Sequence, residues 1–188
     1  MFVQITKEEF LKEISKKAWY QTNNIIWTVI FIFPLFSIID FIFANNVWLQ
    51  FFIVRIIIDL LILGMYSLFQ RKKYNYRLLL HISFFLLSVT SAILCNIVDL
   101  AQLNIYYLLF SAIILFFNLQ AFWEPINSVI QTLIAILLLA IFFNLLSEYS
   151  LDLVISNGAQ FLFVVAFISC LVPSARIKLF NAMCGRNC

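Results

Sequence analysis

Charged residues, histidine, glycine and proline are all scarce in this 188-residue chain. Only 11% of the residues are charged, and there are one histidine, three glycines and three prolines. A single histidine excludes a histidine-rich metal site, and three glycines cannot supply a glycine-rich phosphate-binding loop. The four cysteines do not form the paired CxxC motifs of a zinc site. We therefore expect neither an enzyme nor a bound cofactor or metal.

Apolar residues are correspondingly abundant. They make up 64% of the chain, and its mean hydropathy is +1.03. A soluble domain is roughly half apolar and a quarter charged. The composition therefore predicts a polytopic membrane protein, with room for several spans of about 20 residues each and for no sizeable soluble domain. The first partner of such a chain is the lipid bilayer.

Six long apolar stretches are separated by short polar connectors. Residues 44 to 46 form a three-residue connector, and Glu124 and Pro125 mark another. Such short connections join neighbouring antiparallel helices, so the sequence predicts an all-α bundle of six transmembrane helices. The predicted spans are 24–43, 47–69, 77–98, 104–123, 126–147 and 153–173.

Lysine and arginine occur almost only in alternate connectors. Four lysines precede span one, four basic residues lie between spans two and three, and three follow span six, which leaves only Arg55 inside a span. The positive-inside rule then places both termini in the cytoplasm. The abundance of phenylalanine, isoleucine and asparagine is typical of an AT-rich bacterial genome, so we expect the inner membrane of a bacterial cell.

The second basic connector is the candidate cytoplasmic basic patch. Its members are Arg71, Lys72, Lys73 and Arg77. We interpret it first as a determinant of orientation. Contact with anionic lipid or with a cytoplasmic protein partner is an alternative, and a nucleic acid is a less favoured one.

The segments that flank the spans have their own patterns. Residues 1–23 contain Thr6 and Glu9 at capping-box spacing, followed by apolar residues on one helical face with lysines nearby. This pattern predicts a short amphipathic helix along the cytoplasmic interface, either as an anchor or as a docking face for a partner. The domain organisation is then 1–23 for this helix, 24–173 for the six spans and 174–188 for a basic cytoplasmic tail.

Span two carries a guanidinium and a carboxylate deep in the membrane. With a rise of 1.5 Å per residue from Val47, Arg55 lies about 12 Å and Asp59 about 18 Å from the outer end. Charges at such depth need partners. Their spacing of four residues predicts an ion pair within the helix. Asp40, near the outer end of span one, is a second candidate partner for Arg55.

Other polar residues are expected at a similar depth in the outer half of the bundle. If their helix faces converge, they enclose a polar chamber, which we interpret as interhelical hydrogen bonding, a ligand pocket or an ion path. The candidate chamber residues are Asp40, Trp48, Arg55, Asp59, Ser88, Asn96, Asp99, Asn157 and Gln160. At the inner side, Glu124 is expected to cap span five.

Four of these features resemble a known arrangement. Pro34 inside span one, Asp40 near its end, and Trp48 and Arg55 in span two, followed by a basic loop, resemble the six-helix membrane sensor modules of bacterial adenylate cyclases, histidine kinases and quorum-sensing receptor kinases. The resemblance implies a small hydrophobic or amphiphilic signal bound in the outer half of the bundle. It also implies that the sixth helix passes the change to a cytoplasmic domain.

The chain departs from this pattern after Pro173. Only fifteen residues follow it, with no kinase, cyclase or coiled-coil segment among them. By size and topology alone the chain also looks like the small multi-span accessory or effector proteins encoded beside bacterial antiviral systems, including CRISPR systems. Such a protein would act by forming a homo-oligomer, by perturbing the membrane or by binding a cytoplasmic protein. We favour a non-enzymatic sensory or regulatory module and keep this alternative.

Overall fold

Long helices occupy nearly all of the part of the chain that can be described. The computed structural model describes residues 7–44, 46–72, 75–121, 124–147 and 149–184. The helices are α1 (Lys7–Phe43), α2 (Trp48–Lys72), α3 (Tyr76–Ile97), α4 (Leu103–Gln120), α5 (Pro125–Leu146), α6 (Leu151–Val154) and α7 (Gln160–Cys184). A 3-10 turn, Leu100–Gln102, precedes α4, and a π-helical turn, Ile155–Ala159, joins α6 to α7.

Six stretches of helix are long and apolar enough to cross a membrane. They are Ala18–Phe43, Trp48–Arg71, Tyr76–Ile97, Leu100–Gln120, Pro125–Leu146 and Leu151–Arg176, the last formed by α6, the π turn and most of α7. Each has at least 21 residues, and about 20 are needed to span the hydrocarbon core. The predicted all-α, six-span fold is confirmed, and the protein is a multi-pass integral membrane protein.

The two ends of the chain differ from the prediction. An interfacial helix over 1–23 and a first span were expected as separate elements, but α1 runs without a break from Lys7 to Phe43. A helix lying in the interface needs a turn before it enters the membrane, and the sequence offers no glycine or proline there. Ala18 and Thr22 are already buried in the bundle. At the other end α7 continues past Pro173, and Thr6 and residues 185–188 lie outside the described residues.

The helices pack as two groups around a central pair. α1 and α2 form a hairpin that contacts the rest of the bundle mainly through α3, whereas α5 and α7 cover α3 and α4 from the other side. The terminal side of the bundle carries the described chain ends, the end of α2 with the start of α3, and the end of α4 with the start of α5. The distal side carries the end of α1 with the start of α2, the end of α3 with the start of α4, and the end of α5 with the start of α6. These two names are used below.

A kink interrupts the sixth span near its distal end. Gly158 has φ 111° and ψ −4°, and Asn157 has φ −95° and ψ 26°, so neither has helical geometry. A β-carbon on Gly158 would lie 3.2 Å from the α-carbon of Asn104 in α4. Glycine therefore permits both the left-handed backbone and the close approach of α4.

Candidate functional site

A buried ion pair joins the α1–α2 hairpin near its distal end. Nε of Arg55 donates to Oδ2 of Asp40 at 2.9 Å, and Nη2 of Arg55 donates to Oδ1 at 3.1 Å. The two side chains are 3% and 0% exposed. This bidentate, charge-assisted geometry is the strongest that a guanidinium and a carboxylate form. The short connector between α1 and α2 brings Asp40 close to Arg55. The sequence analysis gives Asp40 as the second candidate partner of Arg55, and this prediction is confirmed.

Tyr106 of α4 is the third member of this cluster. Its hydroxyl donates to Oδ1 of Asp40 at 2.7 Å, so the carboxylate accepts three hydrogen bonds. The sequence analysis does not single out Tyr106, because a tyrosine in an apolar span also fits ordinary packing. The spacing of Tyr106 could have indicated that it faces the interior. It lies at helical intervals from Phe110, Ile113 and Phe117, and all four residues are buried.

Two phenylalanine rings of α1 contact the guanidinium. Cζ of Arg55 lies 4.9 Å from the ring centroid of Phe33 and 5.7 Å from that of Phe36. Both distances are within the range of a cation–π interaction, which is worth about 2 kcal/mol when it is desolvated. Arg55 is thus held by Asp40 and by the two rings, all three from α1.

The predicted ion pair between Arg55 and Asp59 is wrong. Asp59 is only 5% exposed, and neither of its carboxylate oxygens has a hydrogen-bond partner among the described residues. Both hydrogen bonds of Arg55 go to Asp40 instead. A carboxylate on a facing helix can accept both N–H groups of the guanidinium fork, whereas a short aspartate four residues along the same helix is less well placed.

The remaining chamber residues do not converge on this cluster. Asp99 and Gln160 are exposed, and the side-chain amide of Asn157 donates to Leu153 O in its own helix at 2.7 Å. The buried Asn96 likewise donates to Ala92 O at 2.7 Å. No hydrogen bond links these four residues to the ion pair in the described part of the chain, because a polar side chain in an apolar helix can bond a carbonyl one turn earlier.

Two other chamber residues have different surroundings. Trp48 packs edge to face against Phe41, with ring centroids 5.4 Å apart. This contact lies at the end of the α1–α2 hairpin and not at the wall of the groove described below. Ser88 is fully buried on α3, and its hydroxyl has no hydrogen-bond partner among the described residues. Ser88 thus shares with Asp59 the property of being buried and unpartnered.

The sizeable groove beside the cluster is apolar rather than polar. It has a volume of about 270 Å³ and lies between α1, α3 and α4, where it is lined by Thr28, Val29, Ile32, Phe33, Phe36, Leu87, Ala112, Ile113, Phe116 and Phe117. A separate void of about 10 Å³ lies against Arg55, Ser91 and Tyr106, and Phe36 and Ile113 line both spaces. That volume is close to the minimum for one water molecule.

On the terminal side, one arginine of the basic patch is already engaged in an ion pair. Arg77 forms an ion pair with Glu124, with Nη1 and Oε1 3.0 Å apart. Glu124 does precede α5, but its side chain makes no capping hydrogen bond, so the predicted cap is wrong in this respect. Arg71 is exposed. The side chain of Lys72 and all of Lys73 lie outside the described residues.

A second buried polar network connects the central helices to the sixth span. The side-chain amide nitrogen of Asn118 donates to Ser169 Oγ at 2.9 Å and to Thr132 Oγ1 at 3.2 Å, and Ser128 Oγ donates to Asn118 Oδ1 at 2.6 Å. These bonds join α4 to α5 and α7. Hydrogen bonds between helices are a general means of association in lipid, so Asn118 fixes α7 against the core.

The fold and the site define a class of protein, a six-span integral membrane protein with a buried ionic cluster beside an apolar groove. Comparisons with protein-family models, curated proteins and solved structures give no match.

Proposed function

We propose that this protein is a non-enzymatic sensory or regulatory module that binds a small hydrophobic or amphiphilic ligand in the groove between α1, α3 and α4. The observation that carries the proposal is the groove of about 270 Å³ with Phe33 and Phe36 in its wall. The same two rings cover the guanidinium of Arg55. A ligand in the groove therefore contacts the groups that hold the buried charge pair of the hairpin.

The chemistry of the lining favours an apolar chain. Only Thr28 among the lining residues carries a polar side chain, and the volume is near the lower end of the roughly 300 to 1,000 Å³ typical of ligand pockets. Ile32 and Ala112 are exposed on the outer surface of the bundle. The groove thus opens sideways, so that a ligand enters from the lipid.

The neighbouring void favours a ligand with one polar group. Among the described residues, Nη1 of Arg55 has no hydrogen-bond acceptor, since the two bonds of this side chain use Nε and Nη2. Phe36 and Ile113 separate the groove from the void beside Arg55. Rotation of Phe36 would join the two spaces and let an oxygen of an amphiphile accept from Nη1.

A route from the groove to the sixth span runs through α4. Phe117 lines the groove, and the adjacent Asn118 bonds Ser169 of α7. A shift of α4 on ligand binding would therefore move α7, and a packed and hydrogen-bonded pair of helices is a physical means of coupling. In this proposal α7 presents the change to a cytoplasmic partner.

Filling the groove is expected to abolish ligand binding. In Ala112→Trp the indole would occupy the space between α1 and α4, so crosslinking of a photoactivatable diazirine fatty acid should fall several-fold. Ala140→Trp is the matched control, because Ala140 is also an exposed alanine on a lipid-facing surface. Peptide mapping by mass spectrometry should place the crosslinks on α1 and α4. Crosslinks spread evenly over all helices in both variants would contradict the proposal.

The orientation rests on the distribution of charge and forms part of the proposal. We place the terminal side, with the basic connector and both termini, in the cytoplasm of a bacterial cell. Single cysteines at positions 46 and 152, in a chain without its native cysteines, should react with a membrane-impermeant maleimide in intact cells. Cysteines at 71 and 75 should react only after permeabilisation. Labelling of position 75 in intact cells would reverse the assignment.

A further inference from the structure

A second concave space lies between α1 and α2 at the terminal side of the bundle. It has a volume of about 360 Å³ and is lined by Lys16, Trp19, Tyr20, Asn23, Tyr66 and Gln70. We call this space the hairpin groove. None of its described lining residues also lines the apolar groove between α1, α3 and α4. The hairpin groove is therefore a separate candidate site.

Helical spacing forms the hairpin groove from one face of each helix. The lining residues of α1 are at positions 16, 19, 20 and 23, and those of α2 are at positions 66 and 70. Residues three and four apart are neighbours on a helix surface. The rings of Trp19 and Tyr66 stack with their centroids 6.3 Å apart, and the hydroxyl of Tyr66 donates to Oδ1 of Asn23. These two contacts join the two helix faces.

The hairpin groove lies at the level where the membrane meets water. The first candidate span begins at Ala18, and the second ends at Arg71. At 1.5 Å per residue, Asn23 and Tyr66 lie only about 8 Å inside these ends. Tryptophan and tyrosine are enriched at this level, which the headgroups of phospholipids also occupy.

The lining offers hydrogen-bond donors to an anion. Lys16, Tyr20 and Gln70 are exposed, and in the described part of the chain their side chains form no hydrogen bond or ion pair. The described lining residues include no carboxylate, so the positive charge of Lys16 is not balanced within the groove. An ammonium group forms strong, charge-assisted hydrogen bonds with phosphate oxygens. The hairpin groove therefore suits a phosphate group and would repel a cation.

An exposed aromatic stripe continues from the hairpin groove into the membrane. Trp27 packs edge to face against Tyr66, with ring centroids 6.3 Å apart, and stacks on Phe31 at 5.9 Å. Trp27 and Phe31 are 40% and 66% exposed. An apolar chain that leaves the groove toward the membrane centre would cover these two rings. A phosphate group with an attached apolar chain thus fits this surface better than a free phosphate ion.

We infer that the hairpin groove binds one anionic phospholipid. Its phosphate oxygens accept hydrogen bonds from the ammonium group of Lys16 and the side-chain amide of Gln70, and one acyl chain lies along Trp27 and Phe31. Basic pockets between transmembrane helices are a general means of holding anionic headgroups. The site does not depend on the occupancy of the apolar groove. In the orientation proposed above, the lipid belongs to the cytoplasmic leaflet.

Native mass spectrometry of the full chain, freed of lipid in a mild detergent, tests the selectivity of the site. With equal amounts of phosphatidylglycerol and phosphatidylcholine, the complex with one lipid should contain phosphatidylglycerol several-fold more often. Lys16→Gln should abolish this preference, whereas Lys16→Arg should keep it. Arg176→Gln is the matched control, because it removes one positive charge at the same side of the bundle from α7, which packs on α4 and α5. No preference in the wild type, or equal losses in Lys16→Gln and Arg176→Gln, would overturn the site.

Thermal unfolding in the same detergent distinguishes a lipid from a free phosphate ion. Phosphatidylglycerol should raise the melting temperature of the wild type by a few degrees, because a ligand that binds only the folded state stabilises it. Lys16→Gln should fold, since Lys16 is exposed, and should lose this shift. Inorganic phosphate at the same concentration should have no effect on either chain. An equal shift with inorganic phosphate would overturn the assignment to a lipid.

Discussion

Replacing Arg55 with leucine is expected to lower the free energy of unfolding by about 3 to 5 kcal/mol, because it leaves the fully buried carboxylate of Asp40 without its counter-charge. Tyr106 would then be the sole donor to the carboxylate of Asp40 among the described residues. The change should reduce the yield of folded protein after detergent extraction. Fluorescence-detected size exclusion and thermal unfolding measure these two effects.

A pair of double variants identifies the partner of Arg55. Asp40→Leu combined with Arg55→Leu should recover much of the stability, since the desolvation cost of both charges is removed together with their attraction. Asp59→Leu combined with Arg55→Leu should not, because Asp40 stays buried and unpaired. Recovery by the Asp59 combination alone would contradict the pairing in the structure and would restore the ion pair that the sequence spacing predicts.

Replacing Gly158 with alanine is expected to cost about 1 to 3 kcal/mol of stability, which is typical of a non-glycine residue held in an unfavourable backbone region. Gly158 has φ 111°, and an added β-carbon would lie 3.2 Å and 3.3 Å from the α- and β-carbons of Asn104. The strain should loosen the contact between the sixth span and α4. Thermal unfolding in nanodiscs measures the loss.

Gly64 provides the matched control for this substitution. It lies within α2, and a β-carbon built there meets no atom within 4 Å. Gly64→Ala should therefore be neutral or stabilising by up to about 1 kcal/mol, because alanine favours a helix over glycine. Equal effects at the two positions would show that the kink at Gly158 is not required for packing.

The class, the number of spans and their approximate ends follow from the sequence alone. Apolar length reports a membrane span directly, because the bilayer fixes how much chain is needed to cross it. The short connector at 44–46 even indicated that Asp40 and Arg55 were neighbours. The continuity of α1 was harder to predict. Its sequence changes from an amphipathic to an apolar pattern near residue 23, but this change alters the surroundings of the helix and does not end it.

Only the tertiary structure decided which partner each buried polar group has. Sequence spacing reports neighbours on the same helix, so it favoured Asp59 for Arg55 and joined Asn157 and Gln160 to a common chamber. The faces that helices turn toward one another depend on packing between residues far apart in the chain. Those contacts paired Asp40 with both Arg55 and Tyr106, made the adjacent groove apolar, and left Asp59 buried without a hydrogen-bond partner among the described residues. The physical reason is that the rotation of a helix about its axis is fixed by its neighbours rather than by its own sequence.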